Sequence, residues 1–462
     1  MTEFLLTLDQ IKETAGPSVG GKAFALAAMH QHGFVVPRAI CVTVDAYLHY
    51  VTATGLRDQI VLDLYRKPFE DMRWEEIWDT ALRIRNAFSR TSLPAGLRQN
   101  MLEAFESHFS TMPVSVRSSA PGEDSSKTSF AGLHESFVNI RGPEAILDHV
   151  RLVWASLWSD RTILYRRETG LEVNESAMAV VIQEMVFGER SGIVFGQSPT
   201  DDTLSVIEAV YGLNQGLVDG TIEPDRWELE RNTGRILTHV PAKREKAIRP
   251  GTHGTRSEAL TPGIQSSPPL KESELSEVYR LCMRSESLFE APQDMEWTYR
   301  GTELHTLQSR PITTHASSEG DDRPWYLSLH RSFENLKGLR RKIEEDLIPA
   351  MEADAQALAA IDLKGLSDLE LADEIDRRRQ MLQSWCDTYK SDCIPFAHGM
   401  RLFGQVYNDR MQPDDPFEFI QLLSGTSMVS TQRNTMLQDL ADMIRRDPGL
   451  SECLEKKRIE EC

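Results

Sequence analysis

Two glycines and a lysine, Gly20-Gly21-Lys22, stand directly before an Ala-rich stretch that runs to Gln31 and ends at Gly33. Glycine permits close backbone approach, a helix N-terminus favours anions, and an ammonium adds a mobile positive charge, so the trio suits a phosphate. It lacks the full Walker A spacing, and a Gly-Gly turn before a helix is more often structural. A second segment, Val114 to Gly132, reads as a β-branched strand that ends in Arg117 and passes into a long loop of small hydroxyl residues and glycine. An arginine at a strand end clamps phosphate oxygens bidentately, and such a loop can fold over them; an ordinary surface loop has the same composition. The third segment, Asp294 to Pro311, reads as two antiparallel strands around Gly301. A three-residue loop, Gly301 to Glu303, sets Trp297 beside Leu307 and gathers Met295, Trp297, Tyr299 and Leu307 on one apolar face. The opposite face then holds Glu296, Gln308 and Arg310. Two side-chain oxygens beside a guanidinium are what Mg²⁺ bridging nucleotide phosphates requires, although the same pattern describes the polar face of a plain hairpin.

The elements that must position these residues follow from the texture of the chain, which changes near residue 190 and near residue 320. From Gly20 to about Asn139 helical and strand-like segments alternate, as in Ala39 to Val44, a β-branched run closed by Asp45. Between Met178 and Arg310 the runs MAVVIQEMV, SGIVFGQ, LSVIEAVY, RWELER, MEWTYR and ELHTLQSR predict a sheet-rich segment. His315 to Pro324 is small, polar and acidic, as a linker is. Beyond it, Ser367-Asp-Leu-Glu370 forms a capping box, and Leu371, Ile375, Leu382, Trp385 and Tyr389 recur near a 3.6-residue period, predicting one packed helix face.

With 462 residues the chain exceeds one ordinary hydrophobic core. Its 51 Lys plus Arg against 70 Asp plus Glu leave a formal charge of −19, which would repel a phosphate backbone, so no nucleic-acid partner is expected and any phosphate site must be local. No apolar run is long enough to span a bilayer and the N-terminus has no basic leader, so the expectation is a cytoplasmic protein without a membrane partner. The six cysteines lack paired metal spacing, which points to reduced thiols.

The three segments together resemble the N-terminal nucleotide-binding part of the pyruvate, phosphate dikinase and phosphoenolpyruvate synthase family, nearest to its rifampin phosphotransferase and phenylphosphate synthase type members. The resemblance runs in order through Val19-Gly-Gly-Lys-Ala-Phe-Ala-Leu, Val36-Pro-Arg-Ala-Ile-Cys-Val-Thr, Ser115-Val-Arg-Ser-Ser-Ala, Ser129-Phe-Ala-Gly-Leu-His-Glu-Ser-Phe-Val-Asn139, Gln183-Glu-Met-Val, Ser191-Gly-Ile-Val-Phe, Ile207-Glu-Ala-Val-Tyr-Gly-Leu, Pro224-Asp225 and Leu307-Gln-Ser-Arg-Pro311. It implies an α/β (α+β) two-lobed ATP-grasp fold followed by a mainly helical region. The implied divisions are an N-terminal lobe over 1–190, a second lobe over 191–314, the linker over 315–324, and a helical acceptor-binding or partner-docking region over 325–462. It also implies that ATP and Mg²⁺ are bound. Carried over by position, Lys22, Arg117 and Arg310 would contact phosphates and carry the catalysis, Gly132 and Ser136 would belong to the loop over them, Gln183 would lie near the adenine, and Glu296 and Gln308 would hold Mg²⁺. Leu133 stands where the family commonly has Gln, and Ser136 where it has Thr; the second keeps the hydroxyl.

Family members pass phosphate through a histidine in a Gly-Gly-x-x-Ser-His segment, and none of the twelve histidines here has that setting. His253 in Gly251-Thr-His-Gly is the nearest imitation, while His134 and His305 read as packed or hydrogen-bonded residues, and His398 and Arg401 as part of a helix face. The expectation is therefore an ATP-binding subunit or fragment of a dikinase-type phosphotransferase. Its partner would be a subunit or domain carrying the phosphorylatable histidine, and its acceptor a small hydroxyl-bearing molecule that is phenol-like, antibiotic or pyruvate-like. The alternatives are a nucleotide-binding regulatory module without chemistry, or a stand-alone kinase with direct transfer from ATP.

Overall fold

The structure is a computed structural model that describes residues 4–68, 72, 74–121, 124–125, 128–129, 134–168, 176–198, 201–218, 220–252, 254–312, 333–411, 413, 415–419, 436 and 443. The chain divides into two compact units, Met1–Asn335 and Leu336–Cys462. The expected linker at 315–324 lies outside the described residues.

The first unit is a mixture of helix and largely antiparallel sheet. One sheet has the order β1-β2-β7-β3-β6: β1 (Leu5–Thr7), β2 (Ala39–Val42), β3 (Val114–Ser119), β6 (Ser136–Ile140) and β7 (Ala179–Glu184). A short pair, β4 (Asp124–Ser125) and β5 (Thr128–Ser129), lies between β3 and β6 in sequence. The other sheet has the order β11-β10-β9-β8-β14-β15: β8 (Arg190–Phe195), β9 (Leu204–Tyr211), β10 (Asp225–Glu230), β11 (Ile236–Val240), β14 (Gln293–Arg300) and β15 (Glu303–Pro311). A separate hairpin pairs β12 (Lys246–Pro250) with β13 (Thr255–Ala259). The run at Met178, grouped in sequence with the sheet-rich segment, is instead β7, the central strand of the first sheet, between β2 and β3. Strands β11 and β13, exposed along most of their length, carry little of the apolar alternation that marks their neighbours in sequence.

Two cores follow from strand alternation. Ile40, Val42, Val114, Val116, Val180 and Ile182 face a helical layer that includes Tyr47, Tyr50, Phe88, Trp154 and Trp158. Its buried aromatic polar atoms are satisfied: the Trp158 indole donates to Tyr47 Oη at 3.1 Å and the Trp154 indole to the Met178 carbonyl at 3.1 Å. Ala39, Cys41, Ala179 and Val181, on the other face, pack with the Gly16–Gln31 helix in a core that continues to Met295, Trp297, Tyr299 and the Glu272–Phe289 helix.

The Gly16–Gln31 helix breaks at Gly20, whose φ of 74° and ψ of 170° restart it just ahead of Lys22. The break lets the backbone lie against β3: the Ser119 hydroxyl accepts from the Ala23 N–H at 3.0 Å and donates to the Val19 carbonyl at 2.7 Å. One side chain from another element thus caps the restarted helix.

In the second unit, Ser367 and Glu370 make the expected capping box at the start of the helix Asp368–Thr388. The expected packed stripe is corrected: Ile375 is 60% exposed and Leu382 65% exposed. Of the stripe only Leu371 and Trp385 are half-buried, the Trp385 indole donating to Asp354 at 3.0 Å, while the buried Glu374 accepts from Arg377 and Arg378. His398 and Arg401 fall in the helix Ile394–Met411, with side chains outside the described set. Among the described residues no helix is long and apolar enough to cross a membrane.

A Cβ on residue 20 would lie 2.0 Å from the Ser119 carbonyl oxygen, at a positive φ. Gly20→Ala should therefore cost about 3 kcal/mol or more in urea denaturation. Gly16→Ala, which meets nothing within 4 Å, should be close to neutral by comparison.

Candidate functional site

Glu296 sits in β14 directly across from Gln308 in β15 and from Ile193 in β8. The hairpin reaches this pairing differently from the expected route. The loop is two residues long, Arg300 pairing with Glu303 and Trp297 with Thr306, and a bulge at Leu307 shifts the register so that Glu296 still meets Gln308. Leu304, not Leu307, accordingly joins Met295, Trp297 and Tyr299 in the core. The polar face keeps the expected Glu296, Gln308 and Arg310 and adds Asp294, paired with Arg310 in the ladder.

Arg117, near the end of β3, donates to Glu296 Oε2 at 2.9 Å, joining the two sheets through an ion pair whose side chains are 18% and 17% exposed. Burial pushes the Glu296 carboxyl up, but the charge and hydrogen bond of Arg117, with the charges of Arg310 and Lys22, outweigh it and hold it below the usual carboxylate value. Lys22 Nζ, in the first turn of the restarted helix, donates to Ser118 Oγ at 3.4 Å. The Arg310 guanidinium donates twice to Asp294 Oδ2, at 2.8 and 2.6 Å. Three cations from three elements thus surround one carboxylate in a chain of net charge −19.

Gln308 is 6% exposed and its Oε1 is a buried acceptor with no hydrogen-bond partner among the described residues. An orphaned amide oxygen facing a carboxylate is costly unless something positive completes it, and the pair fits a hard cation. Among the described residues no group of three or more His, Cys, Asp or Glu gathers to hold a metal. One carboxylate and one amide oxygen suit an ion that takes its remaining ligands from phosphate and water.

Of the other expected residues, Ser136 is exposed and pairs with Arg117 across β3 and β6. Gln183 is buried in β7, its carboxamide donating to the Leu307 carbonyl at 3.4 Å, so it serves the bulge that sets the hairpin register. Gly132 and His253 lie outside the described residues. His134 is held neutral, its pKa pushed well down by burial and then by the charges of Lys22 and Arg166. His305 packs on β15, with its pKa lowered by burial, and sits 3.0 Å from Glu303.

Sequence reading missed Asp294, although the strand period that put Glu296 on the polar face puts residue 294 there too. Asp225, quoted in the Pro224-Asp225 match without a role, is a buried carboxylate that accepts from His239 Nε2 at 2.8 Å and from Arg244 Nε at 2.6 Å. Nothing in the spacing of those three residues signals the contact.

Residues 16–328 match the family model described as pyruvate phosphate dikinase, AMP/ATP-binding domain. Among similar curated proteins is a probable phosphoenolpyruvate synthase of Methanocaldococcus jannaschii, 30% identical over 320 residues, which covers 68% of this chain and 27% of that protein. A rifampicin phosphotransferase of Streptomyces sviceus is 33% identical over 314 residues, covering 67% of this chain and 36% of the other. The phosphoenolpyruvate synthase of Aeropyrum pernix is 31% identical over 346 residues, covering 67% and 42%. This chain therefore belongs to the pyruvate phosphate dikinase AMP/ATP-binding family, a family of ATP-binding phosphotransferases. It spans less than half the length of each of these relatives.

A depressed folded-state pKa means that the ionised Glu296 contributes stability above the ordinary carboxylate range and loses it as pH falls through that range to the lower folded value. Glu296→Gln should remove this share, so the urea midpoint of the variant should fall less than that of the wild type between about pH 6 and about pH 4. Parallel pH curves would show that the carboxylate is not held by its cations.

Proposed function

We propose that this chain is the ATP-binding part of a dikinase-type phosphotransferase, with an ATP-grasp arrangement in which two lobes, 1–190 and 191–314, hold ATP and Mg²⁺ between them. The observation that carries the reading is the Glu296 carboxylate and the orphaned Gln308 oxygen facing each other among Lys22, Arg117 and Arg310, contributed by both sheets and the restarted helix. Phosphoryl transfer asks a protein mainly for positioning and charge neutralisation, which is what these side chains supply. Arg117 and Arg310 exchange their carboxylate partners for phosphate oxygens, Lys22 adds the third charge, Gly132 belongs to the loop over the phosphates, and Ser136, in β6 and not in that loop, offers its hydroxyl beside Arg117. Gln183, already at the junction of β7 and β15, borders the adenine. Glu296 and Gln308 hold Mg²⁺, which when bound neutralises phosphate charge.

The overall reaction is ATP, acceptor and water giving AMP, phosphate and phosphorylated acceptor. The β-phosphoryl group passes by way of a histidine imidazole supplied by another polypeptide or by a further part of the protein, and the acceptor hydroxyl releases its proton as the new O–P bond forms. The acceptor in this reading is a small hydroxyl-bearing molecule, pyruvate-like, phenol-like or an antibiotic, and the relatives' names, phosphoenolpyruvate synthase and rifampicin phosphotransferase, support the first and the last. The helical region 325–462 binds that acceptor or docks the histidine-bearing partner, and the reading places the work in the cytoplasm.

Product analysis tests this, with and without a protein carrying a Gly-Gly-x-x-Ser-His segment. AMP and phosphate, dependent on that protein and on acceptor, are the expected products; ADP would mean direct transfer, and no product a binding module. Arg117→Ala and Glu296→Ala should each lower turnover by about 100-fold or more, and retained activity in either would overturn the site assignment.

A further inference from the structure

Asn139 is one of three non-glycine residues with positive φ among those described, at 58°. It lies in β6 where the pairing with β3 shifts register, a bulge that turns its side chain out of the ladder, and it is 3% exposed. Its carboxamide donates to the carbonyls of Gly251 and Gly254, both at 2.8 Å, gripping the tip of the β12–β13 hairpin more than a hundred residues downstream. The base of that hairpin is fixed to the six-stranded sheet. Leu213, just past β9, donates its N–H to the Ile248 carbonyl at 2.9 Å, and Arg244, just before β12, bonds the buried Asp225 of β10.

The two strand orders give these contacts a common meaning. In the first sheet β3 lies between β7 and β6; in the second β14 lies between β15 and the strands β8 and β9. Gln183 of β7 bonds Leu307 of β15 on one side, and Asn139 of β6 bonds the hairpin carried by β9 on the other. Arg117 on β3 and Glu296 on β14 meet between these two cross-links.

We infer that Asn139 is a positioning residue for the nucleotide site: by holding the hairpin tip it sets the separation at which Arg117 and Ser136 on one sheet oppose Glu296 and Gln308 on the other. This rests on the nucleotide reading above. Asparagine suits the task because it tolerates the left-handed backbone and offers two N–H donors from one nitrogen. An outlier of this kind, held by distant partners, marks a place where backbone strain is offset for a purpose.

Two variants of the full chain separate donor from backbone. Asn139→Gly keeps the left-handed conformation and removes the donor; Asn139→Asp keeps the shape but sets a carboxylate against two carbonyls. Both should speed hydrogen exchange across 246–259 by about tenfold in the nucleotide-free protein. Both should also weaken binding of ATP with Mg²⁺ by about tenfold at a temperature where every variant is folded. In an Arg117→Ala background the further effect of Asn139→Gly on that dissociation constant should shrink below about twofold, because coupled residues are not additive. Unchanged exchange, unchanged ATP affinity, or an effect that adds in full to Arg117→Ala would each overturn the proposal, the last by showing a merely structural role. A wild-type chain that binds no nucleotide would overturn the nucleotide reading, and with it a positioning role for that ligand. The Asn139 hold on the hairpin tip would then be judged by exchange at 246–259, and no acceleration in Asn139→Gly would overturn it as well.

Discussion

A carboxylate taken out of water must be compensated, and the first unit is organised around the compensation of Glu296. Lys22 comes from a restarted helix, Arg117 from β3 and Arg310 from β15, and the field of the three outweighs the cost of burial. Removing one partner from a pair this sheltered costs on the order of 3 kcal/mol, so Arg117 and Glu296 tie the two sheets together as well as facing the site. The same arrangement is suited to exchange: phosphate oxygens can replace the carboxylate at the arginine, and a hard cation can replace the arginine at the carboxylate.

The elements around this carboxylate share an apolar core, and single polar contacts and close approaches fix their register within it. Gly20 lets the helix touch β3, and Ser119 caps it from there. The Leu307 bulge brings Gln308 opposite Glu296 after a loop too short to do so by itself, and the side chain of Gln183 holds the bulge carbonyl. A second bulge aims Asn139 at the hairpin tip. Each is a single polar side chain or a missing Cβ, so each is sensitive to one substitution, whereas the aromatic core around Trp154 and Tyr50 spreads its contribution over many contacts.

Much of this was legible in the chain. The period of two along Asp294 to Arg310 and the residue types on its polar face were enough to gather Glu296, Gln308 and Arg310, and the β-branched run before Arg117 was enough to place it in a strand. The loop length was misread because a bulge adds one residue without changing composition. Leu307 therefore looked like a core residue while Leu304 filled the place. The helix Asp368–Thr388 differs in another way: its apolar period is real, but burial depends on which side a neighbouring helix covers, which shelters Leu371, Trp385 and Glu374 and leaves Ile375 and Leu382 exposed.

The sequence by itself determined the segments, their order and the chemistry of their side chains, because glycine before a helix, arginine at a strand end and alternating polar residues are local patterns with local causes. Only the tertiary structure decided that Arg117 would find Glu296 across 179 residues, that the Gln308 oxygen would be buried without a partner among the described residues, and that Asn139 would reach Gly251 and Gly254. The physical reason is that hydrogen bonds and ion pairs act over a few ångströms in space and leave no trace in spacing along the chain. A pattern therefore says what a residue can do, and packing says to which partner it does it.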